Sequence, residues 1–283
     1  MKLKYILPIL FLAFLTTACS SDNDDDNRVV VDELEGLIKI QEISNNTHTI
    51  ELYNKTGMFE TGYNAISLRI KNIDDNTYVE NATISWKPLM QMPTMQHSCP
   101  KSAITKKQGT TAVYQGYIIY QMTNTDSTGW ALTIDYTIGE FTYTATNSIS
   151  VLQSEKQNVT TFIGSDTIKY IVALIEPNQP IIGNNDLKVG LYKMENMMSF
   201  PQIADYSMEL DPRMPGMGNH SSPNNTNLGY SLVDKMYHAN LSLTMTGYWV
   251  LNLKLLNANG DLIKGEDVTD SNTQSSLYLE LEF

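Results

Sequence analysis

A chain of 283 residues with 42% hydrophobic and 18% charged side chains has the composition of a folded protein. Its length leaves room for two domains of ordinary size. A formal net charge of −12 excludes the basic surface that nucleic-acid binding needs, and it argues against electrostatic docking on anionic lipid.

The chain opens with a targeting segment over residues 1–19. Lys2 and Lys4 supply positive charge, and residues 5–15 form an apolar stretch. That stretch is shorter than the roughly 20 residues a spanning helix needs. It ends in Leu15-Thr16-Thr17-Ala18-Cys19. Small residues before a cysteine resemble the lipobox of bacterial lipoproteins, although the leucine stands one place further out than usual. On that reading Cys19 becomes the lipidated N-terminus and anchors the protein to the membrane. The other reading is a plain secretory signal with a chance cysteine.

Residues 20–40 then form an acidic tether and linker. Asp22-Asn23-Asp24-Asp25-Asp26 is a like-charge run that stays solvated. The run resembles the export signal that carries Bacteroidetes lipoproteins to the cell surface. The expected location is therefore an outer-membrane lipoprotein exposed at the surface, with a spacer facing the periplasm as the alternative. With Cys19 modified, Cys99 has no intramolecular partner.

Beyond the tether the chain reads as all-β. Runs rich in Thr, Ile, Tyr and Val alternate with Asn, Asp and Gly clusters. Expected strands in residues 41–155 cover 48–53, 65–71, 82–86, 113–122, 130–138 and 141–149. In residues 160–283 they cover 169–175, 187–193, 206–210, 237–245, 249–256 and 277–283. Many short strands with frequent turns predict two tandem immunoglobulin-like β-sandwich domains, joined between residues 154 and 165.

The two halves repeat one another. Met92-Pro-Thr-Met95-Gln-His97-Ser-Cys99-Pro returns as Met214-Pro-Gly-Met217-Gly-Asn-His220-Ser-Ser-Pro. From each histidine, seventeen residues lead to a tyrosine (Tyr114, Tyr237) and eight more to a methionine (Met122, Met245). A tryptophan follows each time (Trp130, Trp249). A Gly-x-Asn turn opens a strand upstream in both halves, at Gly62 and Gly183. The pattern is a tandem duplication.

Gly62-x-Asn64, the strand after it, Met90-x-Met92-Pro-x-Met95, then Tyr114 and Trp130 resemble a YtkA-like domain, a family related to FixH. The resemblance covers most of residues 48–150 and, more loosely, 168–283. It implies an immunoglobulin-like sandwich and a role that leans towards copper handling or respiratory oxidase assembly. The second half departs from it, with Pro212 and Arg213 where the first has Met90 and Gln91.

The ligand chemistry points the same way. A thioether binds without losing a proton and forms no disulfide, so methionine suits Cu(I) outside the cytoplasm. The first half offers Met90, Met92, Met95, His97 and Cys99. The second offers Met214, Met217 and His220. Cys99 aligns with Ser222, so the fold does not demand a thiol. Alternation on the strands turns Met122 and Met245 towards the core, which makes them weaker ligand candidates. Met194, Met197 and Met198 form a methionine-rich loop that either packs under the sandwich or serves as an accessory soft-metal loop. The competing reading makes Met-Pro-x-Met a buried plug of the sandwich end, since methionine fills irregular gaps.

Catalysis finds little support. Histidine is scarce, and neither HExxH, a P-loop nor a dinucleotide fingerprint occurs in the sequence. The expected function is a non-enzymatic envelope lipoprotein binding Cu(I) in two unequal Met/His loops. A surface binding or adhesion module with a protein partner is the alternative.

Overall fold

The computed structural model describes residues 32–283. The targeting segment, Cys19 and the Asp22–Asp26 run lie outside the described residues. Among the described residues the chain consists of strands and one 3₁₀ turn, Pro215–Met217, and no helix is long and apolar enough to cross a membrane.

The first half contributes β1 (Ile38–Ser44), β2 (His48–Asn54), β3 (Phe59–Glu60), β4 (Gly62–Asn72), β5 (Thr83–Gln91) and β6 (Gln96–His97). It continues with β7 (Thr105–Lys106), β8 (Tyr114–Tyr120), β9 (Gly129–Ile138), β10 (Phe141–Ile149) and β11 (Val151–Leu152). The second half contributes β12 (Val159–Ile163), β13 (Lys169–Glu176), β14 (Gly183–Lys193), β15 (Ser207–Met214) and β16 (His220–Ser221). It closes with β17 (Gly229–Tyr230), β18 (Tyr237–Leu243), β19 (Tyr248–Leu256), β20 (Leu262–Lys264) and β21 (Tyr278–Glu282).

One order of strands serves both halves. Sheet β1-β2-β4-β8-β7 corresponds strand for strand to β12-β13-β14-β18-β17. Sheet β10-β9-β5-β6 corresponds to β19-β15-β16, with β20 and β21 both pairing β19 where β10 pairs β9. This is the Greek-key order of an immunoglobulin-like sandwich. Period-two alternation fills each interior: on β9, Trp130, Leu132, Ile134 and Tyr136 are buried while Thr133, Asp135 and Thr137 are less so. Each core draws on both of its sheets. A fully buried Leu or Ile side chain stabilises by about 1.5–3 kcal/mol, so these interiors dominate the fold energy.

The duplication extends to side-chain hydrogen bonds. The Asn64 amide donates to the carbonyls of Glu60 (2.8 Å) and Gly62 (2.9 Å), and its oxygen accepts from the Glu60 amide (3.1 Å). Asn185 repeats the set with Ile181 (2.9 Å), Gly183 (3.1 Å) and the Ile181 amide (2.9 Å). The Tyr114 hydroxyl donates to Val79 and accepts from the Ala82 amide; Tyr237 does the same with Ile203 and the Tyr206 amide. Trp130 Nε1 donates to the Met122 carbonyl at 2.8 Å, and Trp249 Nε1 to the Met245 carbonyl at 3.0 Å.

The two sandwiches meet along the outer faces of sheets β1-β2-β4-β8-β7 and β12-β13-β14-β18-β17. Ile119 on β8, Ile171 and Ala173 on β13, and Tyr192 on β14 form a buried cluster, flanked by Tyr63, Tyr117 and Phe200. The Tyr117 and Tyr192 hydroxyls share a 3.1 Å hydrogen bond. Residues 153–158 cross between the halves and bond to both. The Ser154 amide donates to Thr61 Oγ1 at 3.1 Å, and the Gln157 amide to Glu280 Oε2 at 2.8 Å.

Beyond several strands of two or three residues, two longer strands were not expected from the sequence. β1 begins at Ile38, inside the stretch read as linker, and β12 occupies residues read as the junction. Each is the outer strand of the sheet that faces the other half, and both are largely solvent-facing. An edge strand buries little, so its sequence alternates weakly.

Candidate metal centre

Strand register corrects the alignment of the two loops. Met90 lies opposite Trp130 on β9 and opposite His97 on β6. Met214 lies opposite His220 on β16, and Pro212 lies opposite Leu251 as Pro88 lies opposite Leu132. The structural counterpart of Met214 is therefore Met90 and not Met92. The shared Met-Pro-x-Met spelling straddles a shift of two positions. Met90 and Met214 are the equivalent pair, at 0% and 5% exposure, and both serve the cores.

Met92 and Met95 consequently sit on a loop that reaches beyond β5. The Met92 amide donates to the Met95 carbonyl at 3.0 Å, which closes the turn. Met92 is half-buried against the first core, and Met95 is 47% exposed. Met122 also leaves the core expected for it. β8 ends at Tyr120, so the alternation that would bury Met122 stops two residues early, and the side chain is 40% exposed. Met245 does pack against the second core, half-buried.

These first-half residues converge on one cavity of about 270 Å³ at the seam. Met92, Met95, His97 and Met122 line it from the first sandwich, and Met194 and Met197 line it from the second. Gln121, Thr161, Lys169 and Phe200 complete the wall. Five thioethers and one imidazole thus share a largely apolar chamber. Thioether sulfur and imidazole nitrogen are the donors Cu(I) prefers, and methionine's three rotatable bonds let its sulfur close in on an ion.

His97 has one ring nitrogen engaged. Its Nδ1 lies 2.8 Å from the Ser98 carbonyl oxygen, which can only accept. Nδ1 of the neutral ring therefore carries the proton, and Nε2 keeps its lone pair free. The ring also stands edge-on to Trp130, with centroids 5.5 Å apart. Gln121 brings an amide oxygen that is buried without a hydrogen-bond partner among the described residues.

The other candidates lie elsewhere. Cys99 is buried in the first core, and desolvation pushes its thiol well above the ordinary range. A thiol held protonated is a poor ligand. Met217 is 58% exposed in the 3₁₀ turn. His220 is exposed, and its Nε2 faces the Thr244 hydroxyl at 3.4 Å. In the second half the corresponding loop instead borders a polar cleft through Pro215, Gly218 and Asn219. The sequence thus offered two donor sets, and the structure gathers one. His238 bonds to Asp234 at 2.9 Å and lies 3.5 Å from Asp186. Among the described residues no three His, Cys, Asp or Glu side chains group as a metal site.

Sequence reasoning left Met194 and Met197 as a loop of open purpose and missed Gln121 and Lys169. No periodic signal links residues 122 and 194. They become neighbours only because two sandwiches pack face to face.

No family model matches the chain, and no curated protein matches it. Among solved structures it is similar to the Escherichia coli adhesin FdeC, at 14% identity and TM-score 0.26, over 86% of this chain and 65% of that one. The chain thus spans just under two thirds of the length of that adhesin structure. It is also similar to a conserved domain protein from Bacillus anthracis, at 11% identity and TM-score 0.34, over 89% and 93% of the two chains. A chimeric titin Z1Z2 tandem shares 11% identity at TM-score 0.18, over 87% and 97%.

Proposed function

We propose that this protein binds a soft monovalent metal, Cu(I) foremost, in the chamber beside the first Met-Pro-x-Met loop. One observation carries the reading: Met92, Met95, His97 and Met122 line a single cavity, with the His97 Nδ1 proton engaged so that Nε2 is left as a donor. The same chamber explains why the halves diverged, since the buried Met90 and Met214 serve packing alone. Placed on a lipid anchor at Cys19, such a protein would sequester or pass on copper in the cell envelope. The resemblance to YtkA-like domains supports copper handling, with accessory work in oxidase assembly as its narrower form. The test is anaerobic titration with Cu(I) against a chromogenic Cu(I) chelator. The expected result is about one ion per chain, lost in the Met92→Leu/Met95→Leu/His97→Ala variant. Equal uptake by that variant would remove the reading.

A second reading draws on two features of the cavity. Its volume exceeds the roughly 150 Å³ that holds a benzene ring, and Lys169 puts a cation in its wall. An apolar side chain from a protein partner would fill it, making the protein a binding module at the cell surface. Such a partner would bind equally well in the presence of a strong Cu(I) chelator.

A further inference from the structure

We infer that the metal chamber is a clasp: Met194 and Met197 of the second sandwich complete the donor set of the first, so that one bound ion ties the two sandwiches together. This rests on the soft-metal reading above.

The loop over residues 194–199 is held in place for this role. Its own turn is closed by the Met198 amide donating to Asn196 Oδ1 at 2.8 Å and by the Glu195 amide donating to the Ser199 carbonyl at 3.1 Å. The Met194 amide donates to the Lys169 carbonyl at 2.8 Å, which fixes the loop to β13. The Met197 carbonyl in turn accepts from the Ser98 amide at 2.8 Å, across the seam. Ser98 is the neighbour of His97. One hydrogen bond therefore sets the second sandwich's thioether loop beside the first sandwich's imidazole.

Besides that bond, the seam is held by four fully buried side chains with their aromatic flank, by the Tyr117–Tyr192 hydrogen bond and by the crossing segment 153–158. Packed domains shift against each other unless their interface is large and hydrophobic. An ion ligated from both sides adds a bridge. By linkage, whatever tightens the seam also tightens the metal, and the metal tightens the seam by the same factor.

The experiment uses the full chain and Cu(I) itself, under anaerobic competition with a chromogenic chelator. Two variants are compared with wild type, Met92→Leu/Met95→Leu and Met194→Leu/Met197→Leu. Leucine keeps volume and apolarity while deleting sulfur. Hydrogen exchange at the Ser98 amide, which donates across the seam, reads the seam, and exchange in β5 and β9 reports that the fold is intact. The expected result is a loss of affinity of at least about tenfold in both variants. Copper should also slow seam exchange about fivefold or more in wild type and in neither variant. If Met194→Leu/Met197→Leu binds like wild type while Met92→Leu/Met95→Leu does not, the site belongs to the first sandwich alone. The clasp then fails and the soft-metal reading survives. The clasp also fails if both variants lose copper but copper leaves wild-type seam exchange unchanged. Should wild type take up no copper, the soft-metal reading itself falls, and the clasp with it.

Discussion

The Ser98 amide donates to the Met197 carbonyl at 2.8 Å, from one sandwich to the other. The bond places a histidine loop and a methionine loop, a hundred residues apart in the chain, around one chamber. It also makes the chamber's chemistry depend on how the two cores sit against each other.

Lys169 separates the two readings of that chamber by sign. It lines the cavity and is exposed at the surface. A like charge opposes a bound cation, by up to about 4 kcal/mol at 4 Å for an effective dielectric of 20, and by less for a hydrated ammonium. Lys169→Gln should therefore tighten Cu(I) binding, by up to about tenfold. The same change should weaken the docking of any partner that presents an acidic group. Competition titration and partner pull-down measure the two outcomes.

Met90 and Met214 are core residues in equivalent places, so their substitutions should speak through stability. Replacement by leucine should cost less than about 1.5 kcal/mol and leave copper uptake unchanged. Replacement by alanine should cost about 2–5 kcal/mol in either half. Urea denaturation reads the first effect, and a chelator assay at low denaturant reads the second. A strong loss of copper in Met90→Leu would return that residue to the ligand set.

Asn64 and Asn185 make the same three hydrogen bonds at the same turn. Alanine at either position leaves the equivalent, partly buried backbone groups without these partners. Each change should cost about 2–3 kcal/mol, with the loss registered in the half that carries it. Site-resolved hydrogen exchange would show whether the two losses match.

Acid should loosen the turn that precedes β18. Burial works against ionising Asp234, but hydrogen bonds from Lys188, Ser231 and His238 outweigh it and hold the carboxyl down at about 2, against an ordinary 3.8. As pH falls, the unfolded chain takes up this proton first. The stabilisation is complete above the ordinary value and drains away as pH falls towards 2. Asp234→Asn should flatten that part of the stability profile relative to wild type. Identical slopes for the two proteins between pH 4 and 2 would refute the assignment.

The fold was readable because burial in a sandwich writes period two into the chain. β9 and β10 were recovered almost residue for residue, since Trp130, Leu132, Ile134 and Tyr136 alternate with Thr and Asp. β8 and β13 were recovered for another reason. Tyr117-Ile118-Ile119-Tyr120 and Tyr170-Ile171-Val172-Ala173 are unbroken apolar runs, and each belongs to a strand buried on both faces. Those runs were the trace of the seam, legible only to a reader who asked what covers the second face. The loops were misaligned because spelling was read before register. Met92-Pro and Met214-Pro match as text, whereas the strands place Met90 with Met214. The chamber itself could not be read, because two of its five methionines arrive through packing between sandwiches.

Gly62 and Gly183 opened the two halves of the repeat as the same letter at the same turn, both with a positive φ (+97° and +114°). Around Gly183 a Cβ would meet open space, whereas at Gly62 it would collide with the Asn158 side chain of the crossing segment. A side chain at Gly183 would strain the backbone alone, and one at Gly62 would also have to displace the Asn158 side chain. The two copies have thus lost their equality as evolutionary material. Gly183 answers to its turn alone, while Gly62 answers both to its turn and to the segment that carries the chain into the second sandwich.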